Sequence, residues 1–368
     1  MAIAAQAPAH IRAISPYQPG KPIDELAREM GLDPAGIIKL ASNENPLGMS
    51  AAARAAAAAA LAEVPRYPDG NGYVLKQALC RHYGVALDQV VLGNGSNDVL
   101  ELVARAFLAP GCSAVYAQHA FAVYPLATQA MGAQGIEVAA RDYAHDLAAM
   151  RAAIRPDTRV LWIANPNNPT GTFHKGADIE ALIDSVPPDV VVVLDEAYTE
   201  YLAPAQRYDC LSWIARHPNL LVCRTFSKAY GLAGLRVGFG LGSAELIDLL
   251  NRVRQPFNVS GVALAAAAAA LDDRDFVDRS YAANRAGMGQ LEAGFAALGL
   301  RWIASAGNFI AVEVGDAAAI NRRLLAAGVI VRPIAGYGMP RHLRVSIGLP
   351  GENARLLEAL GAALGAAT

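Results

Sequence analysis

Val190-Val191-Val192-Val193-Leu194-Asp195-Glu196-Ala197-Tyr198 is an unbroken branched apolar run that closes on an acid. Without alternation, such a run reads as a strand buried on both faces, which belongs in a parallel sheet covered by helices. Shorter runs of the same kind flank it: Val90-Val91-Leu92, Ala114-Val115-Tyr116, Arg159 to Ala164 and Leu220 to Cys223. Helical patterns separate them, so the spacing predicts βαβ units. The alanine-rich pieces Ala51 to Ala62 and Ala263 to Ala270 have high helix propensity and small side chains, suited to close packing on a sheet. The expected fold class is α/β, with a mostly parallel central sheet flanked by helices.

Beyond about residue 275 the pattern changes. A long helix from Asp275 to Leu298 precedes Phe309-Ile310-Ala311-Val312-Glu313-Val314, a helix from Ala317 to Ala327, and Leu343-Arg344-Val345-Ser346-Ile347. That mixture predicts a smaller α+β domain. Residues 1–40 hold Pro8, Pro16, Pro19, Pro22 and Pro34 around one amphipathic stretch, Asp24 to Met30, and read as an arm. The expected division is an arm over 1–40 belonging with the small domain, a large domain over 41–274 and a small domain over 275–368. A length of 368 residues suits more than one domain.

Composition narrows the partners. Charged residues are 17% of the chain and the net charge is -2, so no broad basic field is available for nucleic acid. The longest apolar stretch, Val262 to Leu271, is too short to cross a bilayer, and no membrane partner is expected. Cys80, Cys112, Cys210 and Cys223 lie far apart without a C-x-x-C pair, which suits a reducing cytoplasm and indicates neither zinc nor a disulfide framework. The seven histidines form no H-E-x-x-H ligand pair, so no metal is expected.

Four constellations carry chemistry. A carboxylate at the end of a buried strand is costly unless paired, so Asp195 implies a buried cation. For an electron-sink cofactor that cation is a protonated pyridine nitrogen, with Tyr198 in reach of the ring's phenolate oxygen. A Walker-type metal acid is the competing role, but the chain has no G-x-x-x-x-G-K-[ST] loop. Downstream, Thr225-Phe226-Ser227-Lys228-Ala229-Tyr230-Gly231-Leu232-Ala233-Gly234-Leu235-Arg236 sets one lysine among hydroxyls and glycines. A lysine bonds an aldehyde only when partly neutral, and Arg236 would lower its pKa while gripping a phosphate. Alone, the same residues describe a surface lysine beside a glycine turn.

Leu92-Gly93-Asn94-Gly95-Ser96-Asn97-Asp98 follows a strand and opens a helix, where free amides bind phosphate. A simple cap by Ser96 or Asn97 uses the same residues. Asp98 breaks the G-x-G-x-x-G pattern, so a nicotinamide oxidoreductase is disfavoured. Asn165-Pro166-Asn167-Asn168-Pro169-Thr170-Gly171 ends a strand and offers Asn168 as a ring contact, or else a plain turn. Arg332 and Arg344 suit carboxylate or phosphate recognition; surface ion pairing is the alternative, less natural for Arg344 between apolar neighbours on a strand.

Taken together these motifs resemble the fold-type I, aspartate-aminotransferase-like enzymes that use pyridoxal 5'-phosphate. Within them, Leu40-Ala41-Ser42-Asn43-Glu44-Asn45-Pro46-Leu47-Gly48, Arg66-Tyr67-Pro68-Asp69, the Thr225 to Gly238 block, and Arg332-Pro333 with Leu343 to Gly348 are similar to the histidinol-phosphate aminotransferase branch. The resemblance implies that Lys228 forms the Schiff base, and that Arg236, Ser227, Thr225, Gly95, Ser96 and Asn97 hold the cofactor phosphate. It further implies that Phe121 stacks on the ring and that Tyr67 reaches the phosphate in a neighbouring subunit of a homodimer. Tyr17, Asn45, Arg332 and Arg344 take substrate-side positions. The implied partners are an amino donor and a 2-oxo acid, histidinol phosphate and 2-oxoglutarate. An aromatic amino-acid aminotransferase, a threonine-phosphate decarboxylase and a pyridoxal-phosphate-sensing regulator are the rival readings, the last lacking a basic helix-turn-helix.

Overall fold

The structure, a computed structural model, describes residues 3–365. A short strand, β1 (Ile38–Lys39), precedes the seven strands of the central sheet: β2 (Val90–Gly93), β3 (Ser113–Ala117), β4 (Gln134–Val138), β5 (Thr158–Ala164), β6 (Val191–Asp195), β7 (Leu220–Thr225) and β8 (Gly238–Gly242). Their spatial order is β2-β8-β7-β6-β5-β3-β4. β3 to β7 pair in parallel, and β8 runs antiparallel to both its neighbours. β6 is buried at every position, as its valine run requires.

Two strands of the central sheet went unread in the sequence. β4 is an edge strand with mostly exposed or half-buried residues, so it carries little apolar signal. β8 reads Gly238-Phe239-Gly240-Leu241-Gly242, and glycine disfavours strands in the abstract. Here its glycines are a packing need: a side chain at Gly240 would press into Val99 on the helix Ser96–Phe107.

A four-stranded antiparallel sheet forms later, from β9 (Arg301–Ile303), β10 (Phe309–Glu313), and, after β11 (Val329–Ile330), from β12 (Arg332–Pro333) and β13 (His342–Ser346). β11 pairs in parallel with β1, tying the segment before the first long helix to the C-terminal half. One apolar core runs from Ala53 to Leu271 around the central sheet. A second contains Leu40 together with residues from Met288 to Ala363. A 24-residue helix, Arg274–Ala297, reaches from the first core to the second. Among the described residues no helix is long and apolar enough to cross a membrane.

Candidate active site

The parallel strands all end on one edge of the sheet, where open α/β folds hold ligands. β2 delivers Gly95 and Ser96, β3 delivers Phe121, β5 delivers Asn168, β6 ends on Asp195 and β7 leads to Lys228. The antiparallel β8 begins where the others finish, because Gly238 pairs with both Gly93 and Thr225. Arg236, two residues ahead of β8, therefore lands on the same edge. β13 of the second sheet adds Arg344 from across the cleft. A cavity of about 190 Å³ is lined by Ser96, Asn97, Phe121, Asp195, Tyr198 and Lys228. Asn168, Thr225, Ser227, Arg236, Tyr17, Arg332 and Arg344 line it as well.

Asp195 accepts a hydrogen bond from Tyr124 Oη at 2.9 Å and a longer one from the Ala197 amide at 3.2 Å. Burial pushes its carboxyl up to about 6, against the pull of those two donors. A buried acid so placed gains from a cation in the cavity. Lys228 donates to the Ser42 carbonyl at 3.2 Å. Burial first, and the charge of Arg344 second, bring its amine down to about 8, so near neutral pH an appreciable fraction is uncharged. The sequence had credited Arg236 with this effect; Arg236 acts in the same direction but ranks behind Arg344.

At the other end, the helix Ser96–Phe107 starts with Gly95 as its cap residue and no side-chain cap. Its first amides are thus free for an anion. The Arg236 guanidinium lies against Gly95 so closely that any side chain there would collide with it. Arg236 itself sits at φ 54°, a left-handed geometry unusual for a side-chain-bearing residue and typical of strained functional positions. Thr225 Oγ1 accepts from the Ser227 amide at 3.1 Å, which leaves its hydroxyl proton to donate. Amides, hydroxyls and a guanidinium at one end, a lysine amine in the middle and an ionisable acid at the far wall fit a phosphorylated pyridine aldehyde.

On the substrate side, Arg344 is buried; it donates to Asn168 Oδ1 at 2.5 Å and to the Ala41 carbonyl at 2.7 Å, while its Nε has no partner. With its oxygen on Arg344, Asn168 keeps its NH2 end for the expected ring contact. Arg332 is the direct cross-strand neighbour of Arg344, and its guanidinium lies 5.4 Å from the Tyr17 ring centre. Like charges facing each other across a strand pair repel, and an anion between them removes that cost.

Three expected residues stand outside the cavity lining: Gly95, which is represented there by its neighbours Ser96 and Asn97, and also Asn45 and Tyr67. Asn45 is buried, but its amide donates to the Ala229 carbonyl at 2.9 Å and to Ser280 Oγ at 2.8 Å, so it braces the chain and does not face the lining. Its neighbour Asn43 lines the cavity in its place. Tyr67 is 83% exposed and stacks on Phe257 with ring centres 4.8 Å apart, on the surface. Sequence reasoning missed Tyr124, three residues beyond Phe121 and stacked on Trp162. It also missed that Glu196, beside Asp195, is held by a buried ion pair to Arg224 at 2.7 Å.

A family model for aminotransferase class I and II matches residues 35–360. The chain is 66% identical to histidinol-phosphate aminotransferase 1 of Thiobacillus denitrificans, over 99% of this chain and 95% of that one. It is 62% identical to histidinol-phosphate aminotransferase 1 of Dechloromonas aromatica, over 99% of this chain and 100% of that one. Among solved structures, the histidinol-phosphate aminotransferase of Sinorhizobium meliloti in complex with pyridoxal-5'-phosphate superposes with a TM-score of 0.91 at 27% identity, over 99% of both chains.

Proposed function

The chain belongs to the aminotransferase class I and II family, and we propose that it transfers the amino group of histidinol phosphate to 2-oxoglutarate, giving imidazole acetol phosphate and L-glutamate in histidine biosynthesis. It is a pyridoxal-phosphate-dependent transaminase. The observation that carries the substrate reading is the facing pair Arg332 and Arg344 at the cavity wall, with a buried unpartnered Nε on Arg344. An arginine fork accepts the phosphate of one substrate and the carboxylate of the other.

When bound, pyridoxal phosphate supplies an aldehyde that joins amino groups covalently and a ring that withdraws electrons from the adjoining carbon. Asp195, ionised, keeps a proton on the ring nitrogen. Phe121 would stack on the ring, and Asn168 and Tyr198 would orient its oxygen. Thr225, Ser227, Arg236 and the Gly95, Ser96 and Asn97 amides grip the phosphate. Lys228 Nζ would hold the aldehyde and, once free, would take the substrate's Cα proton as general base and return it as acid, work suited to a group whose pKa lies near the ambient pH. Tyr17 and Arg332 close the substrate side.

The working unit in this reading is a homodimer, with Tyr67 completing the phosphate site of the neighbouring subunit. Its exposure together with Leu61 at 60%, Val64 at 62% and Phe257 at 47% supports an apolar contact face there. The separate apolar cores support a small domain over 275–368, joined by the arm over 1–40, beside a large domain over 41–274. The free cysteines, with the buried Cys210 and Cys223 thiols pushed up by burial, suit a cytoplasmic enzyme. Initial rates with histidinol phosphate against phenylalanine as donor test the substrate: a preference for phenylalanine assigns the chain to aromatic amino acids. Borohydride treatment that fails to fix the cofactor on Lys228 overturns the whole scheme.

A further inference from the structure

Asn43 is buried at φ 54°, in the left-handed region that asparagine tolerates better than most residues. Two contacts hold it there: its amide donates to Ser346 Oγ at 2.7 Å, and its carbonyl accepts from Asn308 Nδ2 at 3.0 Å. Its side chain forms a directed series. Ser346 Oγ donates to Asn43 Oδ1 at 3.0 Å, and Asn43 Nδ2 donates to Tyr198 Oη at 3.0 Å.

The direction follows from the orientation of the Asn43 side-chain amide, whose Oδ1 faces Ser346 and whose Nδ2 faces Tyr198. Ser346 Oγ already accepts the Asn43 amide, and its one proton is spent on Asn43 Oδ1. A carboxamide whose oxygen is engaged this way offers only its NH2 on the other side. Tyr198 Oη is therefore an acceptor toward Asn43, and its own proton points elsewhere. Tyr198 lines the cavity, and Lys228 Nζ lies 5.8 Å from its ring centre. Were the amide reversed, Asn43 Oδ1 would take the tyrosine proton, and Tyr198 would present only lone pairs to a ring oxygen that is itself an acceptor.

We propose that Asn43 and Ser346 are positioning residues which fix the hydrogen-bond polarity of Tyr198, making it a donor into the cavity before the cofactor arrives. The inference rests on the transaminase reading, in which Tyr198 faces the ring oxygen. Ser346 also ties this polarity to the substrate side, because it lies two residues from Arg344 on β13, on the same face of the strand. The hydrogen bond from Asn43 also supports the arrangement electrostatically: burial pushes the Tyr198 hydroxyl up to about 12, against the charge of Arg344 and this donor.

The test is a pH titration of the visible absorbance of the lysine-bound cofactor in Asn43→Gly, Ser346→Ala and Tyr198→Phe, singly and combined. Asn43→Gly removes the amide while suiting the left-handed backbone. Each single change raises the apparent pKa of the chromophore by about one unit, because a donor to the ring oxygen is lost. In a Tyr198→Phe background, Asn43→Gly and Ser346→Ala add almost nothing, the mark of action through that hydroxyl. Equal shifts with and without the Tyr198 hydroxyl, or no shift in the single variants while borohydride still fixes the cofactor on Lys228, overturn the relay. Failure of the native protein to take the cofactor on Lys228 overturns the transaminase reading and the relay with it.

Discussion

Replacing Tyr124 with Phe removes one hydroxyl and little else, since the ring is fully buried and stacked on Trp162 at 5.4 Å. What disappears is the 2.9 Å donation to Asp195. A hydrogen bond to a charged group contributes about 1.5–3 kcal/mol, so at about 1.4 kcal/mol per unit the Asp195 pKa should rise by roughly one to two units. From about 6 in the native protein it moves to roughly 7–8 in the variant. Cofactor binding needs this acid ionised, and the variant's acid is protonated over a wider range. At pH 6 the native acid is about half ionised, while in the variant only about one part in ten to one in a hundred is, so affinity falls roughly 5- to 50-fold. At pH 8.5 both acids are ionised, and the defect shrinks to less than about 1.5-fold. The assay is titration of cofactor-free protein with pyridoxal phosphate, followed by absorbance at both pH values. A loss of equal size at pH 6 and 8.5 refutes the reasoning, because it places the effect in ring packing.

Arg344→Gln removes the charge that, after burial, most lowers the Lys228 amine. The rate of cofactor capture, which needs the neutral amine, should rise through about pH 8 in the native protein and through a higher pH in the variant, as stopped-flow absorbance will read. Glu196→Ala leaves the largely buried Arg224 without its 2.7 Å partner; denaturation of the cofactor-free protein should show a loss of about 3–5 kcal/mol. Gly238→Ala drives a methyl group into the Ser96 amide and the Gly95 carbonyl carbon, so phosphate and cofactor affinity should fall together in equilibrium titrations. Mixing inactive Lys228→Ala and Tyr67→Ala proteins should restore roughly a quarter of native activity if sites are shared across a dimer, since half the dimers are hybrids with one intact site. No recovery after verified subunit exchange rules out the shared site.

Strand ends carried most of what could be read in advance. The valine run forces burial on both faces, burial makes the terminal acid expensive, and an expensive acid asks for a cation; each step is local to residues 190–198. Lys228 and the Gly95 turn are legible for the same reason, since each sits directly after an apolar strand. Asn43 and Asn45 were not separable. They lie two apart in Ser42-Asn43-Glu44-Asn45, and which one turns inward depends on β13 and on Ala229, hundreds of residues away in sequence. Tyr124 was hidden differently: a tyrosine on a short helix has no local sign that its hydroxyl ends on the acid of another strand.

β8 is the element on which the site's completeness turns, and it is also the one that composition conceals. A sixth parallel strand in its position would begin at the far edge of the sheet, and the residue before it would lie a full strand length from the cavity, about 17 Å for five residues. Running antiparallel, β8 starts beside Gly93 and Thr225, so the Gly95 turn after β2 and the lysine loop after β7 are closed by the arginine that precedes it. Its glycines keep that junction tight, since side chains at Gly238 or Gly240 would displace the helix that opens at Ser96. Weak strand propensity at this one place is thus the cost of bringing a cation, free amides and two hydroxyls to a single point, and a bulkier, more strand-like sequence there would open the proposed phosphate site while leaving Asp195 and Lys228 where they are.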